Sequence, residues 1–266
     1  MRKPASTLTM SLFAAAAFVF LGTLAPATAQ QPPQANPAPV PPAAYKPVPV
    51  KPAQPVADPA FNSFRQQLAG IAQKKDRPAL ARVVARNFFW IPEDKDIADT
   101  KKPAIENLAK ALGLDGRDPP GWEVLAGYAG ETTADPINDP QHPGVICGPG
   151  GPVFEDAAFE ELMTTTQTDP AEWGYPASNG IEVRSGPQLS SPVIEKLGMH
   201  LVRAYPDDSP ASAVQGDTLR IVTPSGKLGF VPVDFLLPLA TDQLCYVKEG
   251  TAWKIAGLLG GSAPAN

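Results

Sequence analysis

Proline is crowded into one short stretch of this chain, and that stretch limits what the chain can fold into. Eleven of the 33 prolines lie in residues 31–60, where the other residues are mostly Gln, Ala, Val and Lys. Proline fixes φ and lacks a backbone N–H, so such a stretch favours an extended, polyproline II-like conformation. It also has too few large apolar side chains to build a core. We therefore predict a Pro/Ala-rich disordered linker over residues 30–59, acting as a spacer or as a ligand for a proline-binding partner.

The residues before the linker have the three parts of a secretory signal peptide. Arg2 and Lys3 precede a mostly apolar run over residues 10–24, and an Ala-Thr-Ala sequence ends at Ala29. The alternative, an uncleaved membrane anchor, would need about 20 apolar residues to span a bilayer. We predict a signal peptide over residues 1–29, no transmembrane segment after its cleavage, and a periplasmic or secreted protein.

The chain carries little charge and few residues that bind metals. Its formal net charge is −5, which becomes −7 when residues 1–29 are removed with their two basic side chains. Nucleic-acid binding needs a basic surface, so we expect no nucleic-acid partner. With two histidines, His142 and His200, and two cysteines, we expect no metal site. We also expect no cofactor, because the chain has no Walker loop and no dinucleotide fingerprint.

Residues 60–176 form the first predicted domain, a mainly helical α+β domain of unknown type. Phe61, Phe64, Leu68 and Ile71 follow the spacing of one face of an amphipathic helix. We also predict, in chain order, a short helix capped by Asp76, a strand over 87–91, a helix capped by Thr100 and ended by Gly113, a helix opening at 118–120, a Pro/Gly-rich loop over 135–152 and a helix over 156–165.

Residues 177–260 have the pattern of short strands separated by turns. Strands are predicted at 181–184 and 201–205, and a hairpin joins 219–222 to 228–231 through a turn that begins at Pro224. A second hairpin is predicted from 244–248 and 251–255. Short strands at this density are typical of a small β-barrel.

Residues 178–239 resemble a bacterial SH3-type (SH3b) domain. The matching pieces are Val183-Arg184-Ser185-Gly186-Pro187, Ser191 to Leu197, Leu219 to Lys227, Gly229-Phe230-Val231 and Phe235-Leu236. The resemblance implies an SH3-like barrel with a binding role, often toward cell-wall peptides, and no chemistry. The predicted fold class is therefore α+β: an N-terminal mainly helical region, then a small SH3-like β-barrel with an extra C-terminal β-hairpin over residues 177–260.

Four residues of this region are candidate binding residues. Tyr205 and Phe230 offer flat aromatic surfaces for a ligand lying in a groove between loops. Arg184 and Lys227 could pair with carboxylates of a peptide. The alternative for Arg184 is that it braces a loop.

Cys147 and Cys245 are the only two cysteines of the chain. In an oxidising compartment an even pair favours a disulfide, and this one would join residues about 98 positions apart. The alternatives are two separate thiols or a thiol nucleophile, with His142 as the nearby base. Since Cys147 stands among glycines and prolines, the disulfide is our prediction.

The function that these patterns favour is a non-enzymatic binding or interaction protein of the periplasm or exterior. Its expected partner is a peptide, a peptidoglycan stem or an envelope protein. One alternative is a secreted hydrolase that uses paired carboxylates of the helical half. The candidate carboxylates for that reaction are Asp139, Glu155, Asp156, Glu160 and Glu161. A second alternative is an envelope protein–protein assembly factor.

Overall fold

The fold is described from a computed structural model, in which residues 42–93, 95–117, 119–205, 214–215 and 217–260 are described. The predicted signal peptide and the first part of the predicted linker lie outside these ranges. The α-helices of the described residues are α1 (Pro59–Gln73), α2 (Arg77–Arg82), α3 (Ala104–Leu112), α4 (Gly121–Gly130) and α5 (Asp156–Thr166). None of these helices is long and apolar enough to cross a membrane.

The strands of the described residues form two sheets. They are β1 (Val84–Ile91), β2 (Asp135–Pro136), β3 (Ile146–Gly148), β4 (Trp173–Pro176), β5 (Ile181–Arg184), β6 (Val193–Leu197), β7 (Val202–Ala204), β8 (Val214–Gln215), β9 (Thr218–Val222), β10 (Leu228–Pro232), β11 (Leu236–Pro238), β12 (Gln243–Glu249) and β13 (Ala252–Leu259). The first sheet has the order β1-β13-β12-β3-β2. The second has the order β11-β4-β7-β9-β10-β5-β6, with β8 paired to β9.

Capping residues mark several of the helix ends in the described chain. The Asp76 carboxylate accepts a hydrogen bond from the backbone N–H of Ala79 and starts α2, as predicted. Gly113 takes φ 69° and ends α3, also as predicted. This third helix begins after Pro103, so Thr100 is not its cap. Since these ends are set by local chemistry, the sequence alone located most of them.

The first sheet packs against α1 and α2, which precede β1 in the chain, and against α3 and α4, which follow it. The predicted apolar stripe of α1 is buried against side chains of α3, α4 and the strands β1, β12 and β13. Strand β1 pairs in parallel with β13, joining Val84 to Ile255, and β12 pairs with β13 as a hairpin. The core of this part therefore combines helices from the first half of the chain with the last two strands.

The predicted fold class is wrong, because the described residues are mostly β and form no closed barrel. The last hairpin was predicted as an addition to the barrel. Instead it belongs to the first sheet, where β12 pairs with β3 and β13 pairs with β1. The second sheet also takes β4 from the predicted helical half, because Trp173 pairs with Arg203 of β7. Alternating apolar residues predict that a strand exists, but they do not specify its partner, which explains the error.

Residues 42–58, which the sequence predicts to be disordered, pack along the protein, and we call them the arm. The part up to Val50 contacts the second sheet and its adjoining turns, whereas Lys51, Val56 and Asp58 contact Val153, Thr132 and Lys248. Tyr45, Val48 and Val50 are buried, whereas Pro47 and Pro49 are exposed. The N–H of Tyr45 donates to the Pro224 carbonyl and that of Val50 donates to the Met199 carbonyl. Prolines lack an N–H, so an exposed strand edge is where they fit a sheet. The composition of the segment does not predict this packing, because only a few of its residues are large and apolar enough to be buried.

Cys147 of β3 and Cys245 of β12 form a disulfide, which confirms the predicted pairing. The two residues lie opposite each other in the register of the antiparallel pair β3–β12. Both are buried, in a small apolar cluster with Phe89, Val145 and Ala256. The bond therefore joins neighbouring strands within the first sheet, although its ends are 98 residues apart in sequence.

The carboxylate of Asp58 makes the stability of the fold change with pH in the acid range. It accepts hydrogen bonds from the Lys248 ammonium group at 2.9 Å, the Ala60 N–H at 2.7 Å and the Trp253 indole at 3.2 Å. Of these, the bond from Lys248 contributes most, and together they lower the pKa of Asp58 from 3.8 to about 2. A carboxyl group whose pKa is lower in the folded chain stabilises it above its unfolded pKa and stops doing so as the pH falls through the folded value.

We therefore expect the difference in Tm between the wild type and Asp58→Asn to narrow as the pH falls from about 5 to about 2. Thermal unfolding followed by circular dichroism across that range measures it. The matched control is Glu155→Gln, at the N-cap of α5, where no side-chain capping bond is made. A difference that stayed constant from pH 5 to pH 2 would contradict the prediction.

Candidate functional site

The second sheet brings three of the four predicted binding residues into one row. The N–H of Tyr205 donates to the carbonyl of Arg220 at 2.9 Å. In the sheet register, Phe230 of β10 pairs with Arg220 on one side and with Arg184 on the other. We call Tyr205, Arg220, Phe230 and Arg184 the aromatic–arginine row. Arg220 was missed by the sequence analysis, because only the register shows that it lies between the two rings.

Strand alternation explains why the row lies on one face of the sheet. Neighbouring residues of the same strands, Val183, Ile221 and Val231, are fully buried in the core on the opposite face. Since successive side chains point to opposite faces, burying these three turns the row away from that core. All four residues of the row are half-buried.

The Tyr205 ring contacts two guanidinium groups. The guanidinium carbon of Arg220 lies 5.1 Å from the centre of the Tyr205 ring, and that of Arg203 lies 5.4 Å from it. Arg203 is itself buried and bonds the Glu172 carboxylate at 2.8 Å. Cation–π contacts at this distance fix the orientation of the ring.

Arg184 and Lys227 have partners within the protein. The Arg184 guanidinium donates to the Ser191 carbonyl at 2.9 Å and to the Glu182 carboxylate at 2.6 Å. The contact with Ser191 braces a loop, which is the role that the sequence offered as the alternative to ligand binding. Lys227 lies apart from the row, and its ammonium group is 3.9 Å from the Glu195 carboxylate.

A cleft of about 570 Å³ lies where the two sheets meet, apart from the row. We call it the inter-sheet cleft. Its lining residues come from the arm, the end of α4, the loop after β3, the second sheet and the connection from β11 to β12. They are Pro52, Ala53, Glu131, Thr133, Pro149, Gly150, Gly151, Pro152, Tyr175, Ala177, Leu237, Pro238, Leu239, Ala240, Thr241 and Gln243. No local motif marks these separate segments, so the sequence analysis missed the cleft.

Hydrogen bonds fix the polar wall of the inter-sheet cleft. Oε1 of Glu131 accepts from the N–H of Thr132 at 2.7 Å and from the N–H and hydroxyl of Thr133, each at 2.8 Å. The Thr133 hydroxyl oxygen in turn accepts from the N–H of Gly150 at 2.9 Å. Burial, and to a lesser extent the negative charge of Glu131, raise the pKa of the Tyr175 phenol. A carboxylate and a phenol thus line the same cleft.

The two histidines make local contacts. The His142 Nδ1 lies 2.7 Å from Oδ2 of Asp139, and its ring packs on Phe89 with ring centres 4.0 Å apart. The hydrogen bond with His142 lowers the pKa of Asp139. His200 lies with Nδ1 3.0 Å from the carbonyl oxygen of the adjacent Leu201. Within the described ranges, no three His, Cys, Asp or Glu side chains are grouped so that they could hold a metal ion.

The carboxylates considered for a hydrolase do not meet in the inter-sheet cleft. Glu155, Asp156, Glu160 and Glu161 are exposed residues of α5 or its N-cap. The fifth, Asp139, is the partner of His142. The thiol-nucleophile alternative also has no basis, because Cys147 is bonded to Cys245.

Comparison with known proteins provides no relative from which to infer a function. No family model matches the chain, and no curated protein or solved structure matches it. The aromatic–arginine row and the inter-sheet cleft are therefore the starting points for a functional proposal.

Proposed function

We propose that this chain is a periplasmic or secreted, non-enzymatic binding protein that contacts a peptide or peptidoglycan stem through the aromatic–arginine row. The observation that carries the proposal is the cross-strand register of Tyr205, Arg220, Phe230 and Arg184. The resemblance of residues 178–239 to SH3b domains supports the same role. The disulfide is compatible with an oxidising compartment, which is where such a ligand is found.

The chemistry of the row suits such a ligand. Half-buried aromatic rings provide apolar contact area at a low cost in conformational entropy. Guanidinium groups bind carboxylates, which stem peptides carry at their ends and side chains. Phe230 lies between the two arginines, so a ligand that contacts its ring comes within reach of both.

Retention on insoluble peptidoglycan tests the proposal. We expect the protein without residues 1–29 to be retained at low salt, and Phe230→Ala to weaken retention about tenfold, the effect of losing an aromatic contact worth roughly 1.4 kcal/mol. Phe235→Ala is the matched control, because Phe235 is 46% exposed and lies outside the row. We expect this control to bind as the wild type does.

The outcomes separate the possible partners. If the wild type is not retained at low salt, the cell-wall ligand is excluded. If an envelope protein then co-purifies with the wild type but not with Phe230→Ala, the row contacts protein instead. Equal losses in Phe230→Ala and Phe235→Ala would show that the row has no special role.

A further inference from the structure

We propose that the inter-sheet cleft is a second binding site, which takes a short peptide by its unblocked amino group. This site is separate from the aromatic–arginine row, and the inference does not depend on the proposed function of that row. It rests on the size of the cleft, on the charge of its walls and on two polar side chains that line it.

The cleft has the size and composition of a small-ligand site. Its volume of about 570 Å³ falls within the usual range of roughly 300–1,000 Å³ for such sites. Most of its walls are proline, alanine, leucine and glycine, and a small number of polar side chains interrupt them. Junctions between structural units are a common place for binding sites of this kind. The small apolar side chains of the lining leave room for an extended backbone with small side chains.

The charge of the cleft favours a cation. Among the described residues that line it, Glu131 is the only side chain charged at neutral pH, and no lysine, arginine or histidine is present. Outside the lining, the exposed Asp135 carboxylate accepts from the N–H of Gly151 at 2.9 Å, and the Arg65 guanidinium donates to the backbone carbonyl of Glu131 at 2.6 Å, so one charge of each sign lies nearby. Within the described lining, a ligand that brings one positive charge therefore finds a side chain of opposite charge, whereas a carboxylate finds no cationic side chain.

Glu131 is positioned to bind that charge. Its Oε1 accepts three hydrogen bonds from Thr132 and Thr133, which fix the carboxylate. Within the described part of the chain, its Oε2 has no hydrogen-bond partner. An ammonium group has three donors and no acceptor, so it matches a carboxylate oxygen that is left unpaired.

Tyr175 is a second, independent indication of a ligand. Its side chain is only 8% exposed and lines the cleft, yet its phenol makes no hydrogen bond to any described residue. The phenol oxygen is not among the described buried polar atoms that lack a partner, so it reaches the solvent of the cleft and its O–H is available to donate to an acceptor on a ligand. The carbonyl oxygen of a peptide provides that acceptor. The ligand class that satisfies both groups is thus a short peptide with a free amino group.

Titration with alanine peptides tests this inference. The probes are tetra-alanine amide with a free amino group, which carries one positive charge, and the same peptide with its amino group acetylated. Binding is followed by isothermal calorimetry and by NMR shifts of the Thr133, Gly150 and Gly151 amides. We expect the free-amine peptide to shift these amides and to bind at least about tenfold more tightly than the acetylated one, as a charge-assisted hydrogen bond implies.

Variants then assign the effect to the cleft. We expect Glu131→Gln to remove the preference for the free amine, while Tyr175→Phe weakens both peptides about equally. Glu123→Gln, on the exposed face of α4, and Tyr128→Phe are the matched controls and should leave binding unchanged. Equal affinities of the two peptides for the wild type, no binding of either at millimolar concentration, or shifts confined to other amides would overturn the inference. None of these results bears on retention through the row, which the Phe230→Ala experiment measures.

Discussion

Replacing Tyr45 with alanine is expected to lower the free energy of unfolding by about 3–5 kcal/mol, the usual cost of deleting a large buried aromatic side chain. Tyr45 is 8% exposed and its ring packs edge-on against Trp173, with ring centres 5.2 Å apart. Its phenol donates to the Val222 carbonyl at 3.0 Å. If residues 30–59 were a disordered linker throughout, the same substitution would have almost no effect.

Two further variants separate the stabilisation by the Tyr45 hydrogen bond from that by its ring packing and provide a control. Tyr45→Phe removes only the buried hydrogen bond and is expected to cost about 1 kcal/mol, because the ring packing remains. Lys46→Ala, at the exposed neighbouring position, should change stability by less than about 0.5 kcal/mol. Chemical denaturation of all the variants measures these differences. A loss below 1 kcal/mol for Tyr45→Ala would show that the arm contributes little to the fold.

Removing the disulfide is the second change expected to have a large effect. The double variant Cys147→Ala, Cys245→Ala should lose about 2–5 kcal/mol, because the bond closes a loop of 98 residues and so restricts the unfolded chain. Both sites are buried, so small apolar replacements avoid placing an unpaired polar group in the core.

Reduction of the wild type provides the control for this prediction. Dithiothreitol should lower the Tm of the wild type toward that of the double variant and should leave the variant itself unchanged. The free thiols of the unreduced, denatured wild type are counted in the same experiment. Two reactive thiols per chain, or a Tm that reduction does not alter, would contradict the prediction.

Local patterns predicted most of the helices and both hairpins. The stripe from Phe61 to Ile71, the capping carboxylate of Asp76 and the glycine that ends α3 all act within a few residues of themselves. The turn beginning at Pro224 likewise sits between β9 and β10. Helix caps, apolar stripes and turns can be predicted from a single sequence, because they depend on residues that are close together in the chain.

The arrangement of the sheets could not be predicted in the same way. Val84 and Ile255 lie far apart in sequence, yet they pair in the first sheet, and nothing near either residue specifies the other. The strands β2 and β3 fall in a Pro/Gly-rich stretch that is typical of a loop. They exist because β12 provides hydrogen-bond partners for β3.

The candidate sites, like the fold, were predicted only where local sequence patterns were sufficient. Three residues of the row were predicted, because they lie in recognisable strands and have suitable chemistry. Arg220 required the register of β9 and β10. Glu131 has no sequence signal of a site, because only the meeting of the two sheets places it in one cleft with Tyr175. A site assembled from separate segments leaves no local pattern to detect.

The position of β13 in the first sheet has a consequence for the order of folding. This strand lies between β1 and β12, so it is an interior strand although it is the last one in the described chain. During synthesis, β1 and the apolar faces of α1 and α3 emerge long before their partner does. They can pack on one another and on α4, but the part of their cover that β12 and β13 provide is missing until the far end of the described chain is present, a delay typical of folds with distant contacts. A chain truncated before residue 252 thus leaves the edges of β1 and β12 unpaired. Such edges favour aggregation, so we expect the truncated chain not to fold as a smaller stable domain.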